Sequence, residues 1–211
     1  MASAQTLDEF LSAVAAGTPS PGGGAAAAVT AALAAALTGM VGRLAVARVE
    51  EARRAGLDQL VQGADALRHQ LLELAARDAV AYAAVLVARR SHEGGEAARE
   101  VQLMAAWREA TRVPATVIRL TREVAMLARR TAREGPASAQ GDALMAALLA
   151  AAVAAGSHIN LRLNLQAAGR PEDLRVLADQ SEILLRDTQR AAAEVRLLVE
   201  EKLTGSRTGA P

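Results

Sequence analysis

Pro19-Ser20-Pro21-Gly22-Gly23-Gly24-Ala25 separates two helical runs that are rich in alanine, and residues 25–41 are small and apolar for a whole helix. Three consecutive glycines lack Cβ atoms, so their backbone can adopt positive φ and can lie close to a ligand. They also lead directly into a helix, whose first N–H groups have no internal partners and attract anions. The stretch is therefore either a turn with a loose helix cap or a site for a carboxylate, a phosphate or an oxyanion.

Outward from this stretch, the chain is predicted to be helical throughout. Thr6-Leu7-Asp8-Glu9 matches a capping box that begins a first helix ending near Gly17. Pro114 either kinks a helix or begins another one, which ends at Glu134. The other predicted helices cover about 24–48, 57–90, 96–112, 142–168 and 171–203. No strand pattern or repeat is visible, which predicts an all-α single domain over 1–203 with a flexible tail over 204–211.

Composition restricts the class of protein. The chain has a net charge of +1, no cysteine and three aromatic residues, so cysteine chemistry is excluded and nucleic-acid binding is disfavoured. Residues 25–41 are mostly alanine, which is too weakly hydrophobic to predict a membrane span. Asp8 and Glu9 stand where a signal peptide carries positive charge, so we expect a cytoplasmic protein. The two most apolar helices, which contain 25–41 and 143–155, are expected at the centre of a bundle or in a dimer.

Asp78 lies on one helical stripe with Leu74, Tyr82 and Val85. This spacing directs its carboxyl towards the core, where desolvation raises a carboxyl pKa and suits a general acid or base. An ion pair with a buried arginine is the structural alternative, and the spacing favours neither.

Asn160 and Asn164 are four residues apart and share a helix face. Their amides could hold helices together or bind a polar heterocycle. Asp142 most simply caps its helix, although a capping residue can also contact a ligand. His69, His92 and His158 have no partner at metal-ligand spacing, so no metal site is predicted.

These residues together resemble the family of formiminotetrahydrofolate cyclodeaminases and methenyltetrahydrofolate cyclohydrolases. The resemblance runs from Phe10 to the last helix. The matching segments, in order, are Pro21-Gly22-Gly23-Gly24, Met40-Val41-Gly42-Arg43-Leu44, Asp78-Ala79-Val80-Ala81-Tyr82, Arg99 with Val113-Pro114, Asp142, and Asn160-Leu161-Arg162-Leu163-Asn164-Leu165.

The resemblance implies long, mostly antiparallel helices in an up-and-down bundle that forms a homodimer. It also implies a tetrahydrofolate derivative as substrate, with no separate cofactor. The enzyme would hydrolyse 5,10-methenyltetrahydrofolate, or would cyclise and deaminate 5-formiminotetrahydrofolate. Both reactions move protons at a cationic, amidine-like carbon. The implied catalytic residues are Asp78 and Asp142, and the implied substrate-binding residues are Gly22, Gly23, Gly24, Arg99, Asn160 and Asn164.

Several positions differ from the family pattern. Ala25 follows the glycines in place of the usual serine, and Gly141 stands before Asp142 where the family has serine. The basic position that is commonly lysine is Arg48, which can supply charge but not proton transfer. The alternative hypothesis is therefore a catalytically degenerate relative that acts as a folate-binding or structural helical dimer.

Overall fold

The computed structural model describes residues 6–91 and 95–205, and within these ranges the chain forms α-helices, one 3-10 turn and no strand. The all-α prediction is confirmed. The helices are α1 (Leu7–Ala15), α2 (Gly23–Val46), α3 (Glu51–Arg90), α4 (Gly95–Glu134), α5 (Gln140–Ala167) and α6 (Glu172–Gly205), with the 3-10 turn Ala137–Ala139 before α5. The predicted tail began at 204, but α6 continues to Gly205; 206–211 and His92 lie outside the described residues.

The helix starts test two capping predictions. The capping box of α1 is confirmed, since the Thr6 side chain accepts from the Glu9 N–H and the Glu9 carboxylate accepts from the Thr6 N–H. The prediction that Asp142 caps its helix is wrong, because α5 begins earlier and its N-cap is Ala139, while Asp142 lies in the first helical turn. Gln140 fixes this earlier start by donating to the carbonyl oxygen of Gly135 at 3.1 Å and that of Pro136 at 3.3 Å.

Helix α4 passes through Pro114 without ending, so of the two alternatives that the sequence left open, no new helix begins at the proline. Helix α3 likewise begins at Glu51 and includes the charged stretch that precedes residue 57. The first residues of α3 are charged and exposed, so they carry no hydrophobic pattern. A prediction from hydrophobic spacing therefore starts the helix later than the structure does.

The core is made mainly of alanine, valine and leucine. Helix α2 contacts α3, α4 and α5, and α4 also contacts α3 and α6, so α2 and α4 hold the bundle together. Small residues let these helices approach closely. A Cβ on Gly42 of α2 would lie only 2.8 Å from Cγ2 of Val61 on α3, so a larger residue there would force Val61 or the helix contact to shift.

Two helical stretches, Gly23–Val46 and Ala137–Ala167, are long and apolar enough to cross a membrane by length and composition alone. Of the most apolar window in each, 50% and 44% respectively is buried inside the protein. A core helix of a soluble bundle has the same composition, so the expectation that residues 25–41 form a core helix agrees with the packing of α2.

Candidate active site

A cavity of about 240 Å³ lies where the start of α2 meets α3, the middle of α4 and the last turns of α5. Its walls combine backbone without side chains, one carboxyl, two amides, a phenol and apolar surface. The lining residues are Pro19, Ser20, Gly22, Gly23, Gly24, Asp78, Tyr82, Ala110, Pro114, Asn160, Leu163 and Asn164. The chain segments that contribute are far apart in sequence, so the cavity depends on the complete bundle.

Asp78 projects from α3 towards the first turn of α2. Its neighbours on the predicted stripe, Leu71, Leu74 and Val85, are buried, while Asp78 itself is half-buried beside the cavity. No arginine within 6–91 or 95–205 forms an ion pair with this carboxyl, so the structural alternative of a buried ion pair does not hold. The carboxyl is therefore available to a ligand.

Gly24 is required by this arrangement. A Cβ on Gly24 would overlap the carboxyl of Asp78, so only glycine lets α3 bring the carboxyl against the α2 backbone. The triple-glycine stretch does not use its freedom to adopt positive φ, because the glycines with positive φ among the described residues are Gly17, Gly95 and Gly169. Absence of a side chain, rather than an unusual backbone conformation, explains the glycine at position 24.

The electrostatics of Asp78 are set by two opposing effects. Burial raises the pKa of its carboxyl above the ordinary value of 3.8, and a backbone hydrogen bond from Ala25 lowers it by a smaller amount. The helix start that was expected to bind a ligand anion thus holds the protein's own carboxylate. A raised pKa makes the carboxylate a stronger base than an exposed one, which favours proton exchange with a bound reactant.

The two asparagines have different roles. Asn164 donates from Nδ2 to the carbonyl oxygen of Ala110 at 2.7 Å, and Ala110 lies four residues before Pro114 in α4. Proline has no N–H, so this carbonyl has no helical partner and Asn164 supplies one. Asn160 faces the glycines, with its Nδ2 3.6 Å from the place of a Cβ on Gly23. Asn164 therefore holds two helices together at the cavity wall, and Asn160 faces the ligand space.

Sequence reasoning assigned no site role to Ser20, Tyr82 and Pro114, which also line the cavity. The sequence placed Tyr82 on the apolar stripe and in the segment Asp78-Ala79-Val80-Ala81-Tyr82 that resembles the family, without a role in the site. Its position four residues after Asp78 places it on the same face of α3, a signal that could have identified it.

Arg99 and Asp142 do not line this cavity. Asp142 is 18 residues before Asn160 on α5, which separates them by about 27 Å along the helix axis. Arg99 precedes Ala110 by 11 residues on α4, or about 16 Å. It lies instead beside Ser91, Gly95 and Glu96.

His158 lies outside the cavity and has a structural partner. Its Nδ1 is 2.9 Å from Oγ of Ser181, and that hydroxyl donates to the carbonyl oxygen of Ala178 at 2.7 Å. Burial and the nearby Arg162 lower the pKa of His158. Within 6–91 and 95–205, no three His, Asp or Glu side chains are grouped so that they could hold a metal ion.

The chain is similar to a known protein family over most of its length. Residues 6–176 match the model of the family described as formiminotransferase-cyclodeaminase. The matched range includes the glycine stretch, Asp78 and both asparagines, so every residue that lines the cavity lies inside it.

Two individual relatives support the same match. The chain is 34% identical over 168 residues to a methenyltetrahydrofolate cyclohydrolase from Methylorubrum extorquens, a match that covers 78% of this chain and 81% of the relative. The fold of this chain resembles the crystal structure of a formiminotetrahydrofolate cyclodeaminase from Thermotoga maritima, with a TM-score of 0.83 and 29% sequence identity. That superposition covers 94% of this chain and 97% of the other.

Proposed function

This chain belongs to the formiminotransferase-cyclodeaminase family and is an enzyme of one-carbon folate chemistry, and we propose that it hydrolyses 5,10-methenyltetrahydrofolate at the Asp78 cavity. The observation that carries the proposal is the half-buried Asp78 carboxyl, which faces ligand space beside two amides and forms no ion pair within the described residues. The 34% identical relative is named for this hydrolysis.

The reaction requires a base and then an acid at one place. The ionised Asp78 carboxylate accepts a proton from water while the water oxygen bonds to the cationic methenyl carbon. The same carboxyl then returns the proton to a nitrogen of the substrate as that carbon–nitrogen bond breaks. The added hydroxyl loses its proton to solvent and becomes the carbonyl of a formyl group. A carboxyl whose pKa is raised by burial suits both steps, because its base form holds the proton more strongly than an exposed carboxylate does and its acid form can return it to the substrate.

The ionised carboxylate also stabilises the positive charge of the bound substrate before attack. Asn160, which lies beside Gly23, shares the cavity with Asp78 and orients the pterin ring and the attacking water. Tyr82 offers a phenol ring against which a flat heterocycle can pack.

The test follows the near-ultraviolet absorbance of 5,10-methenyltetrahydrofolate. We expect the purified chain to accelerate its loss above the buffer rate, and Asp78→Asn to reduce kcat by about 10²–10⁴-fold. Asp58→Asn is a matched control, because Asp58 is an exposed carboxylate on the same helix, 20 residues before Asp78. Loss at the buffer rate with the wild-type chain, or equal rates for Asp78→Asn and wild type, would contradict the proposal.

Cyclisation and deamination of 5-formiminotetrahydrofolate is the second candidate reaction. It is favoured by the structural neighbour named for that activity, whose fold covers nearly the whole chain. The same carboxyl would transfer the proton that lets ammonia leave. Ammonia release from the formimino substrate, measured beside the absorbance assay, separates the two reactions.

We further propose a soluble, cytoplasmic homodimer of largely antiparallel helices. Helix α5 supports the dimer with an exposed apolar stripe at helical spacing, formed by Met145, Leu148, Ala152 and Gly156. A second helix can pack closely against a stripe that contains small residues. Asp142 and Arg99 do not line the cavity of their own chain, so either would reach a catalytic cavity only as a residue of the second copy. Asp142 lies one turn before the α5 stripe.

A further inference from the structure

A second cavity, of about 470 Å³, lies beside the end of α5 and is lined by Ile159, Arg162, Leu163, Leu165, Gln166, Arg170 and Arg175. Leu163 lines both cavities, so the two are neighbours on the two sides of this side chain. Three guanidinium groups and no carboxylate line it. Its chemistry is therefore suited to an anion, in contrast to the Asp78 cavity.

The charge in the second cavity is largely uncompensated. Within 6–91 and 95–205, Arg162 and Arg170 form no ion pair with a carboxylate, and Arg175 forms an exposed pair with Glu172 at 3.1 Å. The other acid at the start of α6, Asp173, is bound by Arg108 at 3.0 Å. The arginines are thus available for planar, bidentate contacts with carboxylates.

Arg170 is held in a backbone conformation that few residues adopt. Its φ is +58°, and its N–H donates to the carbonyl oxygen of Leu165 at 3.0 Å, which closes the end of α5. A side chain other than glycine or asparagine at positive φ costs free energy. This cost is consistent with a guanidinium that is needed at this position.

The volume of the Asp78 cavity limits how much of a folate it can enclose. The Asp78 cavity, at about 240 Å³, is smaller than the ~300–1,000 Å³ typical of pockets that enclose a drug-sized ligand. It can hold the ring end of a folate but not its benzoyl and glutamate parts. The start of α2 is also unavailable to a substrate carboxylate, because Asp78 already takes that position.

We infer that the arginine cavity binds the carboxylates of the substrate's glutamate tail, while the reacting ring lies in the Asp78 cavity. This inference rests on the proposed folate chemistry. The benzoyl ring crosses Leu163 and Ile159, and the tail carboxylates accept hydrogen bonds from Arg162, Arg170 and Arg175. The site sets the affinity for the tail and takes no part in proton transfer.

The kinetic test compares two substrates, 5,10-methenyltetrahydrofolate and the corresponding methenyltetrahydropteroate, which lacks the glutamate. We expect Arg162→Gln and Arg175→Gln each to raise KM for the folate by about tenfold without changing kcat. Neither substitution should change KM for the pteroate. Arg196→Gln is the matched control, because Arg196 is an exposed arginine on α6 beyond the cavity.

Equal KM values for both substrates in the wild-type enzyme, or equal effects of Arg162→Gln on both, would overturn the inference. Circular dichroism and thermal melting establish that each variant is folded, and Arg175→Gln provides a second exposed site if Arg162→Gln fails to fold.

A binding measurement separates this inference from the proposed reaction. Calorimetry with p-aminobenzoylglutamate and p-aminobenzoate requires no turnover. We expect the wild-type chain to bind the glutamate compound more tightly, and Arg162→Gln to remove that difference. If the wild-type chain turns over neither substrate but shows this difference, the proposed reaction fails and the tail site stands. Equal binding of the two compounds would overturn the tail site whatever the turnover.

Discussion

At the scale of single residues, Asp78 links activity and stability in opposite directions. Its folded-state pKa lies above the ordinary value, since burial favours the neutral acid. The folded protein therefore binds this proton more tightly than the unfolded chain does. The resulting stabilisation is complete below the ordinary carboxyl pKa and is lost as pH rises through the folded-state pKa. Above that folded-state pKa the ionised carboxylate is retained at a cost to folding.

The first prediction concerns pH. Asp78→Asn should raise the thermal unfolding midpoint relative to wild type at pH 7, and the difference should shrink or reverse near pH 3, where wild-type Asp78 is protonated. Scanning calorimetry at both pH values measures this. In wild type, kcat/KM should fall with decreasing pH at a value above the ordinary carboxyl range, because the base form is lost. Equal midpoint differences at the two pH values would show that Asp78 ionises in the fold as it does in the unfolded chain.

The second prediction concerns Gly24. Gly24→Ala places a methyl group on the Asp78 carboxyl and must displace it, so we expect a loss of about 10²-fold or more in kcat/KM. Gly141→Ala is the control, because a Cβ there meets no atom within 4 Å and the residue lies in the first turn of α5. Steady-state kinetics on both variants make the comparison. Wild-type activity in Gly24→Ala would mean that the carboxyl can move without consequence.

The sequence predicted the position of Asp78 correctly, because a stripe of leucines and valine determines which face of α3 is buried. It could not predict what Asp78 contacts. That contact depends on how closely α2 and α3 approach at Gly24, where the absence of a side chain leaves room for the carboxyl. The sequence suggested a ligand anion at the α2 start, whereas the structure has Asp78 there, since long-range packing is not encoded in local spacing.

At the scale of helices, the Pro114 region of α4 shows how a backbone defect is repaired from another helix. Proline removes one helical hydrogen bond, and the Asn164 side chain replaces it from α5. Sequence reasoning left open whether Pro114 ends a helix, because a proline signal cannot include a partner 50 residues away. The helix continues because that partner is present.

The third prediction follows from this repair. Asn164→Ala should destabilise the protein by about 1–3 kcal/mol, since it leaves the Ala110 carbonyl unpaired. In a Pro114→Ala background the same change should cost less, because residue 114 then donates its own N–H to Ala110. Urea unfolding of both single variants and the double variant gives the coupling energy. An additive result would mean that Asn164 stabilises the bundle in some other way.

At the scale of the whole molecule, alanine-rich helices form a tight core but leave apolar surface outside it. Exposed leucines and methionines occur on the two most apolar helices, α2 and α5. Leu33 on α2 is 54% exposed, and Met145 and Leu148 on α5 are 51% and 46% exposed. Patches of this kind mark protein contacts in soluble proteins. The sequence predicted that α2 and α5 would be apolar nearly all round, which fits both a bundle core and a dimer contact.

The fourth prediction tests the dimer. Light scattering with size-exclusion chromatography should give twice the chain mass for wild type, and Leu148→Glu should shift it towards the monomer, because a charge at a packed apolar contact is unfavourable. Leu72→Glu on α3 is the control, since Leu72 is equally exposed at 45% but lies off the α5 stripe. A monomeric wild-type chain would exclude the dimer.

The bond between Asn164 and Ala110 has a consequence for selectivity. One amide hydrogen of Asn164 is committed to α4, while Oδ1 has no hydrogen-bond partner among the described residues. The fixed amide thus presents a lone pair to the reactant. A tetrahydropterin carries an N–H on the ring nitrogen outside the methenyl bridge, whereas the same nitrogen of an oxidised pterin carries no hydrogen. We therefore expect the Asn164 oxygen to favour the reduced ring, so that the contact which replaces the missing hydrogen bond of α4 also contributes to the choice of ligand.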